Sequence, residues 1–342
     1  MKNWKTLFTT ASLIAFASGA SAAELNIYAW SGEVPQEIVD DFSKETGITV
    51  TFDTYDSNET MMAKLSAGAT GYDLIEPSQY TVQVLAKQGL LQELDHAKIP
   101  NIGNLGAPFK EVSFDPGQKW SVPYIWGTTG FAYNEDCVKT PPTSWKALWD
   151  PQYEGRIYML DNMLAAYIAG LQVNGFDAGT TKPEEIEKAT QSLIEQKKVL
   201  GGYNSTNYGD LLASGEACVV QGWNGSIAQV TATNPKVKYV IPDEGGSMWI
   251  DGFAIPTSAK NVEEAYKFID YIMRPEVAAK AANLSKSATV IDKAKALLPK
   301  DVVENAAIYP PEDKLMKADF ILDVGDATKL YQDGWTKVKT AQ

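Results

Sequence analysis

Leu25-Asn26-Ile27-Tyr28-Ala29-Trp30-Ser31-Gly32 reads as a strand and its stop. Leu25, Ile27 and Ala29 recur with the period of two that places alternate side chains on one face of a sheet, and Ser31-Gly32 breaks the pattern. The period then becomes helical. Val34, Ile38, Val39 and Phe42 share a face behind Pro35, and Gly47 closes the segment. Residues 48–52 form a second strand, and Asp56-Ser57-Asn58-Glu59, with Glu59 three residues after Asp56, opens a helix over 60–67. Tyr72-Asp73-Leu74-Ile75 is a third strand ending at Pro77-Ser78, followed by a helix over 80–87 that closes at Gly89. Three strand–helix units in succession predict a largely parallel sheet and an α/β fold. Ligands of such sheets collect at the carboxyl ends of the strands, which here carry Trp30-Ser31 and Pro77-Ser78-Gln79-Tyr80.

Two later stretches cross between lobes. Residues 120–131, rich in Trp and Gly, leave the first lobe for a second, and Gly246-Ser247-Met248-Trp249-Ile250-Asp251-Gly252-Phe253 returns. The expected division is 24–127 with about 252–305 in lobe 1 and 128–251 with about 306–342 in lobe 2. Lobes joined by extended crossings can hinge about them. In the returning strand Trp249 and Asp251 share a face, setting an aromatic ring beside a carboxylate, a minimal site for an organic cation. Trp30, Tyr80, Trp223 and Trp249 all fall near strand ends, and three of the four are expected to frame one cleft with Asp251, whereas Trp120, Trp145, Trp149 and Trp335 read as core.

Composition narrows the partners. The first 23 residues combine Lys2 and Lys5 with an apolar run and small residues around 20–23, the pattern of a secretory signal peptide. The expected mature chain is exported and soluble. The full chain carries a net charge of −13, and loss of Lys2 and Lys5 makes it two charges more negative. That balance disfavours nucleic acid, which requires basic surface. Only Arg156 and Arg274 are Arg, so bidentate recognition of carboxylate or phosphate is also disfavoured. Cys137 and Cys218 are the only cysteines, either a disulfide in an oxidising compartment or two buried thiols.

The residues Tyr28-x-Trp30-Ser31, Lys44-Glu45-Thr46-Gly47-Ile48, Ser57-Asn58-Glu59-Thr60-Met61, Pro123-Tyr124-Ile125-Trp126-Gly127, Trp223-Asn224-Gly225-Ser226 and Trp249-x-Asp251 together resemble periplasmic spermidine/putrescine-binding proteins of ABC importers. The resemblance spans nearly the whole mature chain. It implies a two-lobed, type II periplasmic binding fold, hinged by its crossing strands, that closes on a polyamine and delivers it to a membrane permease. By position, Trp30, Tyr80, Trp223 and Trp249 would be the cage, Ser31 and Ser78 hydroxyl partners, and Asp251 the carboxylate for an ammonium. Departures accompany it. Asn162 and Ala165 stand where the family places carboxylates, Ser287 where it places a Tyr, Ile321 where it places a Gln, and Glu33 where Tyr is common. Two readings of Glu33 stand: it replaces a lost carboxylate, or it lies in solvent. Asp161 either compensates or caps the helix behind it. The expected ligand is an amine cation whose length or methylation differs from spermidine.

Other classes find less support. A periplasmic sensor presenting the same amine to a receptor would have the same binding lobes. A secreted enzyme is not expected, because His96 is the only histidine, in a surface turn, and no nucleophile elbow, Cys-x-x-Cys or phosphate loop occurs. No metal or cofactor is expected, and a hinging carrier is expected to be a monomer.

Overall fold

The computed structural model describes residues 23–68 and 70–341. The expected signal segment therefore lies outside the described residues, apart from Ala23. The chain is α/β, and its first three strand–helix units build as the periodicity predicts. Strand β1 (Glu24–Trp30) lies between β2 (Thr49–Tyr55) and β3 (Leu74–Ile75), all parallel. Helix α1 (Gln36–Thr46) buries Ile38, Val39 and Phe42 and ends on Gly47, whose φ of 75° lets its N–H reach the Ser43 carbonyl. Helix α2 (Asn58–Ser66) is capped by Ser57, whose hydroxyl accepts the Thr60 N–H at 3.2 Å, one residue later than the sequence pattern suggested. Helix α3 (Gln79–Lys87) follows β3 directly.

A second, eight-stranded sheet is built on β4 (Val122–Asn134), a fully buried strand of 13 residues. Its first half pairs antiparallel with β9 (Ser247–Phe253) and its second half with β7 (Val219–Trp223) and β8 (Val237–Val240). Strand β9 then continues onto the first sheet. Ser78 bridges Asp251, and Ile75 and Ala254 exchange both backbone hydrogen bonds at 2.9 Å. The two crossing stretches are thus adjacent strands of one ladder. Apolar side chains flanking the first sheet, with those from Ile250 to Ile308, form one core, and most of those from Phe131 to Val237, with Ile321 to Val338, form two others around β5 (Ile157–Met159), β7 and the helices Met163–Gln172 and Pro183–Gln196.

Two local devices aim β9. Gly245 and Gly246 take φ of 136° and 84°, conformations that favour glycine, and Gln172 clamps Gly246 through its N–H and its carbonyl at 2.8 Å each. Gly127 lies opposite Trp249, and a Cβ there would overlap the Trp249 ring and the Asn224 amide. Of the tryptophans read as core, Trp145 is fully buried, while Trp120, Trp149 and Trp335 pack half-buried against the cores.

Cys137 and Cys218 form a disulfide, with Cα atoms 5.7 Å apart, joining the exit of β4 to the approach of β7. It closes a separation of 81 residues, for which loop entropy gives about 4 kcal/mol of stabilisation. Calorimetric melting of the Cys137→Ala/Cys218→Ala variant is expected to show the second lobe losing on the order of 10 °C. An unchanged transition would mean that the bridge adds nothing to the ladder it spans.

Candidate functional site

The carboxyl ends of β1 and β3, the first turn of α3, the end of β7 and the middle of β9 converge on one cleft. A cavity of about 80 Å³ is lined by Trp30, Glu33, Ser78, Tyr80, Trp223, Trp249 and Asp251. These are seven of the eight residues singled out from the sequence. Ser31 lines the adjoining cavity of about 430 Å³ instead, beside Trp30, Glu33, Trp223 and Trp249. The Trp30 and Trp223 rings meet edge-to-face at 5.9 Å and separate the two spaces. Ser78 is held by Asn58, whose amide donates to its hydroxyl at 2.9 Å.

Asp251 does not stand alone. Glu33 and Glu76 adjoin it, and the Glu33 carboxyl contacts both. Glu76 is fully buried behind the Trp30 backbone, whose N–H donates to its Oε2 at 3.2 Å, while the Tyr55 hydroxyl donates to the Glu76 carbonyl. Oε2 of Glu33, Oε1 of Glu76 and Oδ1 of Asp251 are sealed from solvent and lack a hydrogen-bond partner, as do the indole nitrogens of Trp30 and Trp249. The neighbours acting on the three carboxyls are one another and hydrogen-bond donors, not Lys or Arg. Glu33 is therefore not a solvated side chain.

Burial and mutual repulsion set the electrostatics. Desolvation pushes Asp251 up to about 7, and Ser78, Glu33 and Trp30 offset only part of that. Desolvation and then the Asp251 charge raise Glu33 and Glu76 well above the usual carboxylate range. Three carboxylates cannot all ionise in one dry corner, so the empty site holds protons. The surrounding titratable groups are Tyr55, Tyr80, Tyr124 and Tyr208, each raised first by burial, and Glu59, half-buried beside Tyr80 and also raised by desolvation.

The opposing wall is uncharged. Asn162 caps the helix Met163–Gln172, its Oδ1 accepting the Ala165 N–H at 2.9 Å, so the cap belongs to Asn162 rather than Asp161. Asp161 instead pairs with Lys339 at 2.7 Å on the surface. Ala165 and Ile321 line the first cavity and Ser287 the second. Glu76 was missed in the sequence, although a carboxylate between the third strand and Pro77, at the ligand end of a parallel sheet, was a readable signal. Among the described residues no cluster of His, Cys, Asp and Glu is arranged to hold a metal ion, and His96 is exposed.

A carboxyl whose folded pKa exceeds its unfolded value favours the folded state below the unfolded pKa, and that advantage is lost as pH rises through the folded pKa. For Asp251 the window runs from about 3.8 to about 7. Thermal melts of the ligand-free protein are expected to fall by several degrees between about pH 5 and about pH 7.5, with a flatter slope in Asp251→Asn. Equal slopes in both proteins would contradict this assignment.

The sequence profile of the bacterial extracellular solute-binding proteins matches residues 37–311. The chain is 35% identical to the spermidine/putrescine-binding periplasmic protein of Escherichia coli K12 over 348 aligned positions, covering all of both chains. It is 34% identical to the putrescine-binding periplasmic protein PotF of the same organism, covering 100% of this chain and 99% of that one. Among solved structures, a spermidine/putrescine ABC transporter protein of Listeria monocytogenes superposes with a TM-score of 0.90 at 33% identity, over 93% of this chain and 99% of that one. The spermidine/putrescine substrate-binding protein PotD of Streptococcus pneumoniae gives 0.80 at 32% identity with the same coverage. With its strand-crossed α/β lobes, the chain belongs to the bacterial extracellular solute-binding proteins, in the spermidine/putrescine-binding periplasmic family.

Proposed function

We propose that the protein captures a small polyamine-like amine in the periplasm and delivers it to the permease of an ABC transporter. The observation that carries this reading is the buried, partnerless Asp251 oxygen in an aromatic-walled cleft, with Glu33 beside it. An isolated carboxylate there costs several kcal/mol, and an ammonium entering the cleft supplies both the opposite charge and the missing donors. Trp30, Tyr80, Trp223 and Trp249 surround the cation with ring faces and edges. Each well-placed cation–π contact contributes about 0.5–2 kcal/mol, so the set supports micromolar binding or better. Trp30 and Trp223 come from the two proposed lobes, 24–127 with 252–305 and 128–251 with 306–342. Closure about β4 and β9 would bring their rings over the ligand and present both lobes, as a monomer, to the permease.

The relatives named above for spermidine and putrescine set the ligand class, and the lining sets its chemistry. Calorimetric titration of the mature protein, refolded free of ligand, with putrescine, spermidine, cadaverine, agmatine, choline and γ-aminobutyrate tests the reading. Saturable binding of at least one polyamine is expected, weakened about 100-fold or more in Asp251→Asn. Silence with every cation would overturn the ligand class.

A further inference from the structure

The two walls of the cleft are chemically unequal. Glu33, Glu76 and Asp251 all sit on one side, each with one sealed oxygen lacking a donor. The Trp30 indole, nine-tenths buried, is close enough to act on Asp251 yet has no hydrogen-bond partner of good geometry. Glu33 and Asp251, which border the cavity, each offer an acceptor without a donor, and a primary ammonium supplies N–H groups to both. A quaternary or trimethylated nitrogen offers none and would leave both oxygens unpaired. Among the described residues, Glu33 and Asp251 are the only charged ones lining the first cavity. Facing them are Asn162, Leu164, Ala165, Ile168 and Ile321. The Asn162 carbonyl is already committed to the Ala165 N–H, which leaves its amide N–H₂, a donor. A donor repels an ammonium and suits a hydroxyl or carbonyl. In the adjoining cavity Asp56 is exposed, so its pull on a second cation is screened by water.

We propose that recognition is one-ended: Glu33 and Asp251, backed by the buried Glu76, grip a single terminal primary ammonium, and the far end of the ligand is read as an uncharged hydrogen-bond acceptor beside Asn162. This rests on the amine-binding reading above and narrows its ligand class to ω-substituted primary amines, with diamines accepted but not favoured. It also assigns Glu76, which does not line the cavity, a positioning part that acts through Glu33 and Asp251.

The test compares putrescine with 4-amino-1-butanol, which keeps the chain length and one ammonium but replaces the other with a hydroxyl. Titration of the full mature protein is expected to give affinities within about tenfold of each other, or the alcohol tighter. A two-ended site would leave a buried carboxylate unpaired and weaken the alcohol about 100-fold or more, which would overturn the proposal while leaving amine binding intact. Failure of both compounds to bind would overturn the proposal, and it would overturn the amine-binding reading as well only if every other cation of the panel above is also silent. Glu76→Gln preserves shape and the bond from the Trp30 N–H, and Glu33→Gln is the second variant. Each, with a melting temperature near that of the parent, is expected to weaken both amines by a similar factor of about ten or more. Unchanged affinities in both variants would overturn the parts given to Glu33 and Glu76. Asn162→Asp is expected to shift preference toward putrescine by about tenfold, and an unshifted ratio would contradict the placement of the far end.

Discussion

Burying a carboxyl without a counter-charge costs several kcal/mol, and this protein gathers two, Glu76 and Asp251, in one corner with the half-buried Glu33, one of whose oxygens is sealed there. The energy of that arrangement is tolerated because protons neutralise it while the cleft is empty. Neutral carboxyls do not repel one another as carboxylates would. A cation with N–H donors changes the balance by supplying charge and donors together. The corner is thus poorly satisfied on its own and well satisfied with an ammonium in it, and the difference between those states supplies binding free energy.

The scaffold exists to hold that corner still. Asp251 and Trp249 lie on a strand paired with β4 along one edge and stitched to the first sheet at Ser78 and Ile75. Glu76 is fixed from two directions, by the Trp30 N–H at its carboxyl and the Tyr55 hydroxyl at its carbonyl. Glu33 follows Gly32, whose φ of 85° turns the chain back over the end of β1. Because β4 and β9 are neighbours in one ladder, the proposed closure about them would move the Trp223 wall relative to the Trp30 wall without separating Asp251 from its carboxyl partners. Gly127 keeps the Trp249 ring pressed against β4, so the aromatic floor is part of the same rigid unit.

Much of this was readable from the chain. Period-two and helical periods located the first three strands and helices, because each buries one face. The shared direction of Trp249 and Asp251 follows from strand geometry alone, and both line the first cavity. Local capping was less legible: Ser57 and Asn162 cap helices where Asp56 and Asp161, one residue earlier, offered the same chemistry. Burial of Glu33 was undecidable, since nothing in Gly32-Glu33-Val34 states whether the turn faces water or the hinge. Glu76 was passed over because a two-residue strand gives no alternation by which to assign its side. Its importance arises from contacts with Glu33 and Asp251, far away in sequence, and such convergence is a property of topology rather than of any local pattern.

The most direct test of the carboxyl corner is a proton count. Binding of putrescine at about pH 6.5, followed by titration calorimetry in two buffers of different ionisation enthalpy, reports the protons released with the ligand. If the amine replaces protons held by Glu33, Glu76 and Asp251, the observed heat changes with buffer and corresponds to release of about one proton or more per ligand. Saturable binding with the same heat in both buffers would contradict the account, because the amine would then be entering a site that was already ionised.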